Sequence, residues 1–150
     1  MAIRRAEPAR RAVPVRPRAA LQDQDYRLLL GFRTDLRRFL RWSEQRAADV
    51  GLTPMQHQML LAVRGTPDLR GPTIHDLAEA LLLRHNSAVE LVDRAERAGL
   101  VRRATDPGNR RVVRLRLTAL GSRRLGELSE AHLEEIKRLR TALEQLWPAG

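Results

Sequence analysis

The sequence predicts a mainly α chain with a small β-wing: a winged helix-turn-helix flanked by N- and C-terminal helices. Three observations carry that expectation. Residues 74–98 hold two short amphipathic patterns separated by a tight turn near Leu83. Gly99 then stops the second pattern, and two arginine-laced strand patterns follow, joined by Asp106-Pro107-Gly108-Asn109. Apolar residues also recur at steps of three and four through residues 21–50 and 119–147, the signature of long amphipathic helices. Helix-turn-helix followed by a wing is a shape used mainly to read duplex DNA.

Each element has its own signal. Residues 1–20 contain Pro8, Pro14 and Pro17 and lack periodicity, which predicts a disordered basic arm, either a DNA tether or a solvated tail. In residues 21–50, Tyr26, Leu29, Phe32, Leu36, Phe39 and Leu40 form one stripe, and Gly51 is placed to end the helix. Thr53-Pro54-Met55-Gln56 opens the next helix with a capping box: Thr53 at N-cap, Pro54 at the first helical position, Gln56 reaching back. Met55, Met59, Leu60 and Val63 predict its buried face. After a loop through Gly65-Thr66-Pro67 and Gly71-Pro72, Thr73 caps a third helix, with Asp76 in the capping-box position and Leu77, Ala80 and Leu81 facing inward. The fourth helix begins at residues 85–87 and ends at Ala98. Ala88, Leu91, Val92 and Ala95 are its core stripe, while Glu90–Arg94 and Asp93–Arg97 are acid-first pairs four residues apart.

Residues 100–105 and 111–117 are the predicted wing strands. In the second, Val113, Leu115 and Leu117 alternate with Arg114 and Arg116, which predicts one packed face and one cationic face. Thr118 caps a last helix to Trp147, where Ile136, Leu139, Leu143 and Leu146 make a seam for another helix. Long striped helices at both ends of a small core predict a homodimer. The expected organisation is therefore an arm (1–20), an N-terminal dimerisation helix (21–50), a winged helix-turn-helix (51–118) and C-terminal dimerisation helices (119–150).

Charge is local. The chain of 150 residues carries a formal net charge of +10, with 28 basic residues, of which only Lys137 is lysine. Residues 1–20 hold six arginines against Glu7, and residues 101–117 hold six against Asp106; the remainder balances its bases and acids. Such basic stretches point to a polyanion, with double-stranded DNA first. The absence of cysteine excludes disulfides and thiol chemistry. No apolar run reaches the ~18 residues of a membrane span, and no secretory h-region opens the chain, so a cytoplasmic protein with no membrane partner is expected. The four histidines (57, 75, 85 and 132) lack metal-ligand spacing. There is no nucleophile elbow, phosphate loop or isolated carboxylate pair, and Ser43, Ser87, Ser122 and Ser129 fall on predicted helices without a base at recognisable spacing. The expectation is a non-enzyme without catalytic residues, metal or cofactor.

From residue 21 to residue 146 the chain resembles the MarR family of winged-helix transcription regulators. The resemblance rests on Leu77-Ala78-Glu79, Leu91-Val92-Asp93-Arg94, Gly99-Leu100-Val101, Asp106-Pro107-Gly108-Asn109-Arg110-Arg111, Leu115-Arg116-Leu117-Thr118 and Gly121, in that order. It implies a homodimer interlocked through its terminal helices, recognition helices in successive major grooves, wings at the minor groove, and a small-molecule effector pocket between the two halves. Three positions depart from the family pattern. Asn109 stands where the wing usually carries an acid ahead of its groove-reaching arginine, so a carboxylate clamp on Arg111 would have to come from elsewhere, with Asp106 the candidate. Arg84 and Glu90 stand where a hydroxyl cap and a basic residue are usual.

The candidate DNA-binding residues follow. Arg84, His85, Asn86 and Ser87 sit where the fourth helix would enter a groove; arginine can pair with guanine and asparagine with adenine, whereas the plainer role for Asn86 or Ser87 is capping. Glu90 can accept from a cytosine amine but would repel phosphate, and Arg94 lies one turn on. Arg110 and Arg111 at the wing tip suit a narrow minor groove. Arg102, Arg103, Arg114 and Arg116 divide between phosphate contacts and ion pairs to the helices. His57 and Trp42 are the effector-pocket candidates, and His132 is expected in the core or at an interface, with Trp42 and Trp147 also suited to packing. The expected function is a sequence-specific DNA-binding regulator, a repressor on a pseudo-palindromic operator. The alternatives are a winged-helix protein-interaction module and a non-specific architectural DNA binder.

Overall fold

Five helices and one hairpin follow in the predicted order in a computed structural model that describes residues 20–146. They are α1 (Asp23–Asp49), α2 (Pro54–Gly65), α3 (Ile74–Ala80), α4 (His85–Arg97), β1 (Val101–Asp106), β2 (Asn109–Leu117) and α5 (Ala119–Leu146). The basic arm up to residue 19 and Trp147 lie outside the described residues. Among the described residues no helix is long and apolar enough to cross a membrane.

The helix starts obey local chemistry. Thr53 and Thr73 accept from the N–H groups of Gln56 and Asp76, each at 3.1 Å, and the Gln56 and Asp76 side chains accept in return from the two threonine N–H groups. Asp76 therefore stays ionised below the usual carboxylate range, chiefly because the Thr73 N–H donates to it. Thr118 Oγ1 accepts from the Gly121 N–H at 3.0 Å and so caps α5. Helix ends are marked by Gly51 and Gly99, whose φ values of 73° and 71° place them in the left-handed region.

One core joins the elements. Met59 and Leu60 of α2, Leu77 of α3, Leu91, Val92 and Ala95 of α4, Leu100, Val101 and Leu115 of the wing, and Leu125 and Leu128 of α5 are buried against one another. The wing is an antiparallel pair in which Val101 faces Leu117 and Thr105 faces Val113, with an irregularity at Thr105–Asp106 that leaves Pro107-Gly108 as the turn. The second strand thus starts at Asn109 rather than at residue 111. Its inner edge is covered by the loop before α3, where the Leu115 N–H donates to the Pro72 carbonyl at 2.8 Å. Gly71, at φ 88°, lies so close to the Leu115 carbonyl that a Cβ would overlap it.

Four packing expectations are corrected. Met55 is 38% exposed, and His57 takes the place given to it on the inner face of α2, because α5 covers that side. In α3, Ala78 is buried and Ala80 exposed. Asp93 does not pair with the Arg97 guanidinium: it binds Arg103 of β1, while Arg97 Nε donates to the Asp93 carbonyl. In β2, Val113 is exposed and Arg114 is 13% exposed, since two carboxylates draw Arg114 inward against the pleat.

Candidate nucleic-acid interface

The recognition-helix candidate is α4, and its buried stripe fixes which side faces out. Ala88, Leu91, Val92 and Ala95 turn inward, leaving Asn86, Ser87, Glu90, Arg94 and Arg97 outward and exposed. Arg84 is the N-cap in extended conformation and provides no side-chain cap. Among the described residues neither the Asn86 nor the Ser87 side chain forms a hydrogen bond, so their donors and acceptors are not spent on capping. Arg84, His85, Asn86 and Ser87 are consecutive, exposed and unengaged at the leading end of α4. Behind them Glu90 and Arg94 form an ion pair at 3.8 Å. The turn ahead of α4 holds Leu82 at φ 54° and 93% exposed, an unusual conformation for a branched apolar residue.

A network of carboxylates holds the wing. Asp106, 2% exposed, accepts from the Gly108 and Asn109 N–H groups through Oδ1, and from Arg114 Nε at 2.9 Å and Arg70 Nη1 at 3.3 Å through Oδ2. The Gly108 N–H first, then Arg114, keep its carboxyl below the usual range. Asp68 accepts from Arg70 and Arg114 as well, and its hydrogen bonds with Arg70 lower it to about 2. Arg114 also donates to the Gly71 carbonyl, and Arg116 to the Leu69 carbonyl. This network ties the loop before α3 to the hairpin.

A second clamp joins the wing to α4. Arg103 donates to Asp93 at 2.6 Å and also to Glu96, while its own N–H donates to Glu96 at 3.1 Å. Asp93 first, then Glu96, raise its pKa further. Arg103, Arg114 and Arg116 are thereby ion-pair and carbonyl partners within the protein. Asp106 was the candidate clamp for Arg111; its Oδ1 is occupied by the Gly108 and Asn109 N–H groups and its Oδ2 by Arg114 and Arg70, and Arg111 instead has its N–H held by Asn109 Oδ1 at 3.1 Å. Among the described residues the guanidinium groups of Arg84, Arg102, Arg110 and Arg111 have no ion-pair or hydrogen-bond partner. The local sequence signal, Asp-Pro-Gly-Asn, foretold the turn; Asp68 and Arg70, 36 or more residues away from their wing partners, carried no signal of their own.

Trp42 and His57 come together around His132, where α1, α2 and α5 meet. The His132 ring lies 4.7 Å from that of His57 and 4.8 Å from that of Trp42, centroid to centroid. Its Nε2 is 2.7 Å from Ser43 Oγ and its Nδ1 2.8 Å from the Leu128 carbonyl. Because a carbonyl can only accept, Nδ1 donates and the Ser43 hydroxyl donates to Nε2 in the neutral ring. Burial first, then the neighbouring His132, lower the pKa of His57. Among the described residues no three acidic or imidazole side chains gather as a metal site.

Comparison with known proteins bears out the resemblance found in the sequence. Residues 50–112 match the model of the MarR family. A MarR family protein from Bacillus stearothermophilus is 26% identical, with 80% of this chain and 82% of that chain covered and a TM-score of 0.66. MepR of S. aureus, in its complex with DNA, is 22% identical over 73% of this chain and 80% of its own, with a TM-score of 0.63. CouR from Rhodococcus jostii RHA1, bound to p-coumaroyl-CoA, is 21% identical over 75% of this chain and 86% of its own, with a TM-score of 0.58. No curated protein matches the chain.

Proposed function

We propose that this chain, with its MarR-type winged helix, is a cytoplasmic homodimeric repressor of transcription that reads a pseudo-palindromic operator in double-stranded DNA. The observation that supports it best is how the arginines are divided. Arg103, Arg114 and Arg116 bind protein groups and set the shape of the wing, while Arg84, Arg102, Arg110 and Arg111 are left for a partner rich in negative charge. The exposed and unengaged end of α4 supplies base-reading groups beside them. In this reading residues 84–94 enter a major groove, and Arg110 and Arg111 lie along the adjacent minor groove.

The terminal helices support a dimer. Tyr26, Leu29, Leu30, Phe32 and Leu40 of α1 and Leu133 and Ile136 of α5 are large apolar residues left exposed in the single chain. A second copy would cover them and set two α4 helices about one turn of DNA apart. The DNA-bound MepR and the ligand-bound CouR share the fold, which favours duplex DNA as partner and a small-molecule effector as regulator. Trp42, His57 and His132 are the residues whose displacement by such an effector would tilt the winged helix against the terminal helices.

Selection from random duplex DNA at near-physiological salt tests this reading. Enrichment of an imperfect palindrome with half-sites ~10 bp apart is expected. Arg111→Ala should then weaken all duplexes alike and reduce the salt slope by about one, whereas Asn86→Ala should change the preferred sequence. Retention without enrichment would favour an architectural binder, and no retention a protein-interaction module or an obligatory ligand.

A further inference from the structure

The groove-facing side of α4 carries one acid that the protein does not use to build the wing. Asp93 and Glu96 are both taken by Arg103. Glu90 is 72% exposed and among the described residues meets only Arg94, itself 58% exposed, at 3.8 Å. A carboxylate facing DNA is costly near phosphate, because the backbone is a dense line of negative charge. In a major groove it has a specific use: the cytosine N4 amine is a donor that a carboxylate can accept.

We infer that Glu90 and Arg94 act as one unit that selects a C·G pair within each half-site, an assignment that rests on the DNA-binding reading above. The edge of a C·G pair presents one donor, cytosine N4, followed by two acceptors, guanine O6 and N7. Glu90 offers acceptors only, and Arg94 offers donors only. The two side chains lie four residues apart on one face of α4, with Arg94 leaning back toward the N-terminus as long helical side chains do, so an acceptor and a donor stand side by side. An A·T edge places its donor between two acceptors, which would set the Glu90 carboxylate against lone pairs. The ion pair is exposed and long, so exchanging its partners for base edges gives up little. Arg94 meanwhile screens Glu90 from the phosphates.

The test repeats the random-duplex selection with wild type, Glu90→Gln and Arg94→Ala, all checked for an unchanged melt. Wild type should enrich cytosine opposite guanine at one internal position of each half-site. Glu90→Gln, whose amide suits adenine N6 and N7, should move that position to adenine while leaving the other positions unchanged. On the wild-type site, each variant should lose about 5- to 150-fold per half-site. Arg94→Ala should lose discrimination at that position alone, with the affinity for random duplex nearly kept. A palindrome enriched by both wild type and Glu90→Gln with the same base at every position would overturn this assignment and leave the operator-binding reading intact. A uniform loss on all sequences in Arg94→Ala, with the salt slope lower by about one, would make Arg94 a phosphate contact and also overturn it. Wild type that enriches nothing would overturn both.

Discussion

Two alanine substitutions on the same helix should have opposite signs. Gly121 and Gly126 both lie in α5, yet a Cβ at Gly126 would meet nothing within 4 Å, whereas at Gly121 it would fall nearly an ångström inside the 3.0 Å closest approach to the Leu100 carbonyl oxygen. That carbonyl cannot easily retreat, because it accepts from the Thr118 N–H and from Thr118 Oγ1, each at 3.1 Å. Alanine for glycine in a helix interior contributes about 1 kcal/mol, so Gly126→Ala should stabilise by roughly that amount. Overpacking costs about 1–3 kcal/mol, and a fixed backbone carbonyl puts Gly121→Ala near the upper end, for a net loss of about 2 kcal/mol. At ~2–4 °C per kcal/mol for a chain of this size, the two melting temperatures should differ by about 6–12 °C. Thermal melts at one fixed protein concentration read this directly, since a dimer's melting depends on concentration. Gly121→Ala melting at or above wild type would refute the reading that the Leu100 carbonyl leaves no room for a side chain at this turn of α5.

Other perturbations separate the remaining roles. His57 titrates below its ordinary 6.5 because it is buried beside His132, so the unfolded chain binds more protons as pH drops through that range. Its stabilising contribution is therefore complete above pH 6.5 and lost as pH falls toward its folded value; melts from pH 7.5 to 5.5 should show this slope, and His57→Gln should flatten it. Leu82→Gly relieves a left-handed backbone that costs about 1–2 kcal/mol at a side chain 93% exposed. Part of that gain is offset by the freer unfolded chain, so urea titration should find equal or slightly greater stability, and a loss would mean that Leu82 packs on something. Arg103→Ala should cost only about 1 kcal/mol of stability, yet in the proposed reading weaken every duplex, because it frees Asp93 and one oxygen of Glu96 of their cation; unaltered affinity in a filter or anisotropy assay would refute that clamp's place in the interface.

Most of the fold was legible because its signals are local. The capping boxes at Thr53 and Thr73, the glycine stops at 51 and 99 and the period of Ala88, Leu91, Val92 and Ala95 each involve residues within a turn or two. The errors arose where a partner comes from elsewhere in the chain. Strict alternation put Arg114 on the solvent face of β2, but Asp68 and Asp106 draw it inward. The i,i+4 rule gave Asp93 to Arg97, but Arg103 arrives from the next strand with a better-placed guanidinium. In the sequence His57 is an effector-pocket candidate, and only the α2–α5 packing reveals the ring of His132 against it.

The same long-range pairs explain why counting arginines overstates the charge left without a protein partner. Of the six in residues 101–117, three are bound to Asp93, Glu96, Asp68, Asp106 or a backbone carbonyl, and this leaves Arg102, Arg110 and Arg111 to face a partner. In the proposed DNA-binding reading the bound ones serve recognition indirectly. Arg114 and Arg70 meet on Asp106, which also takes the N–H groups of the wing turn, so the tip that carries Arg110 and Arg111 is braced from below. Arg103 braces the other side against α4. A wing held at both edges presents its free guanidinium groups without first having to be ordered, and the entropy of ordering flexible side chains and loops is a main cost of binding. In the DNA-binding reading proposed above, removing a clamped arginine should therefore weaken binding without altering which sequence is preferred.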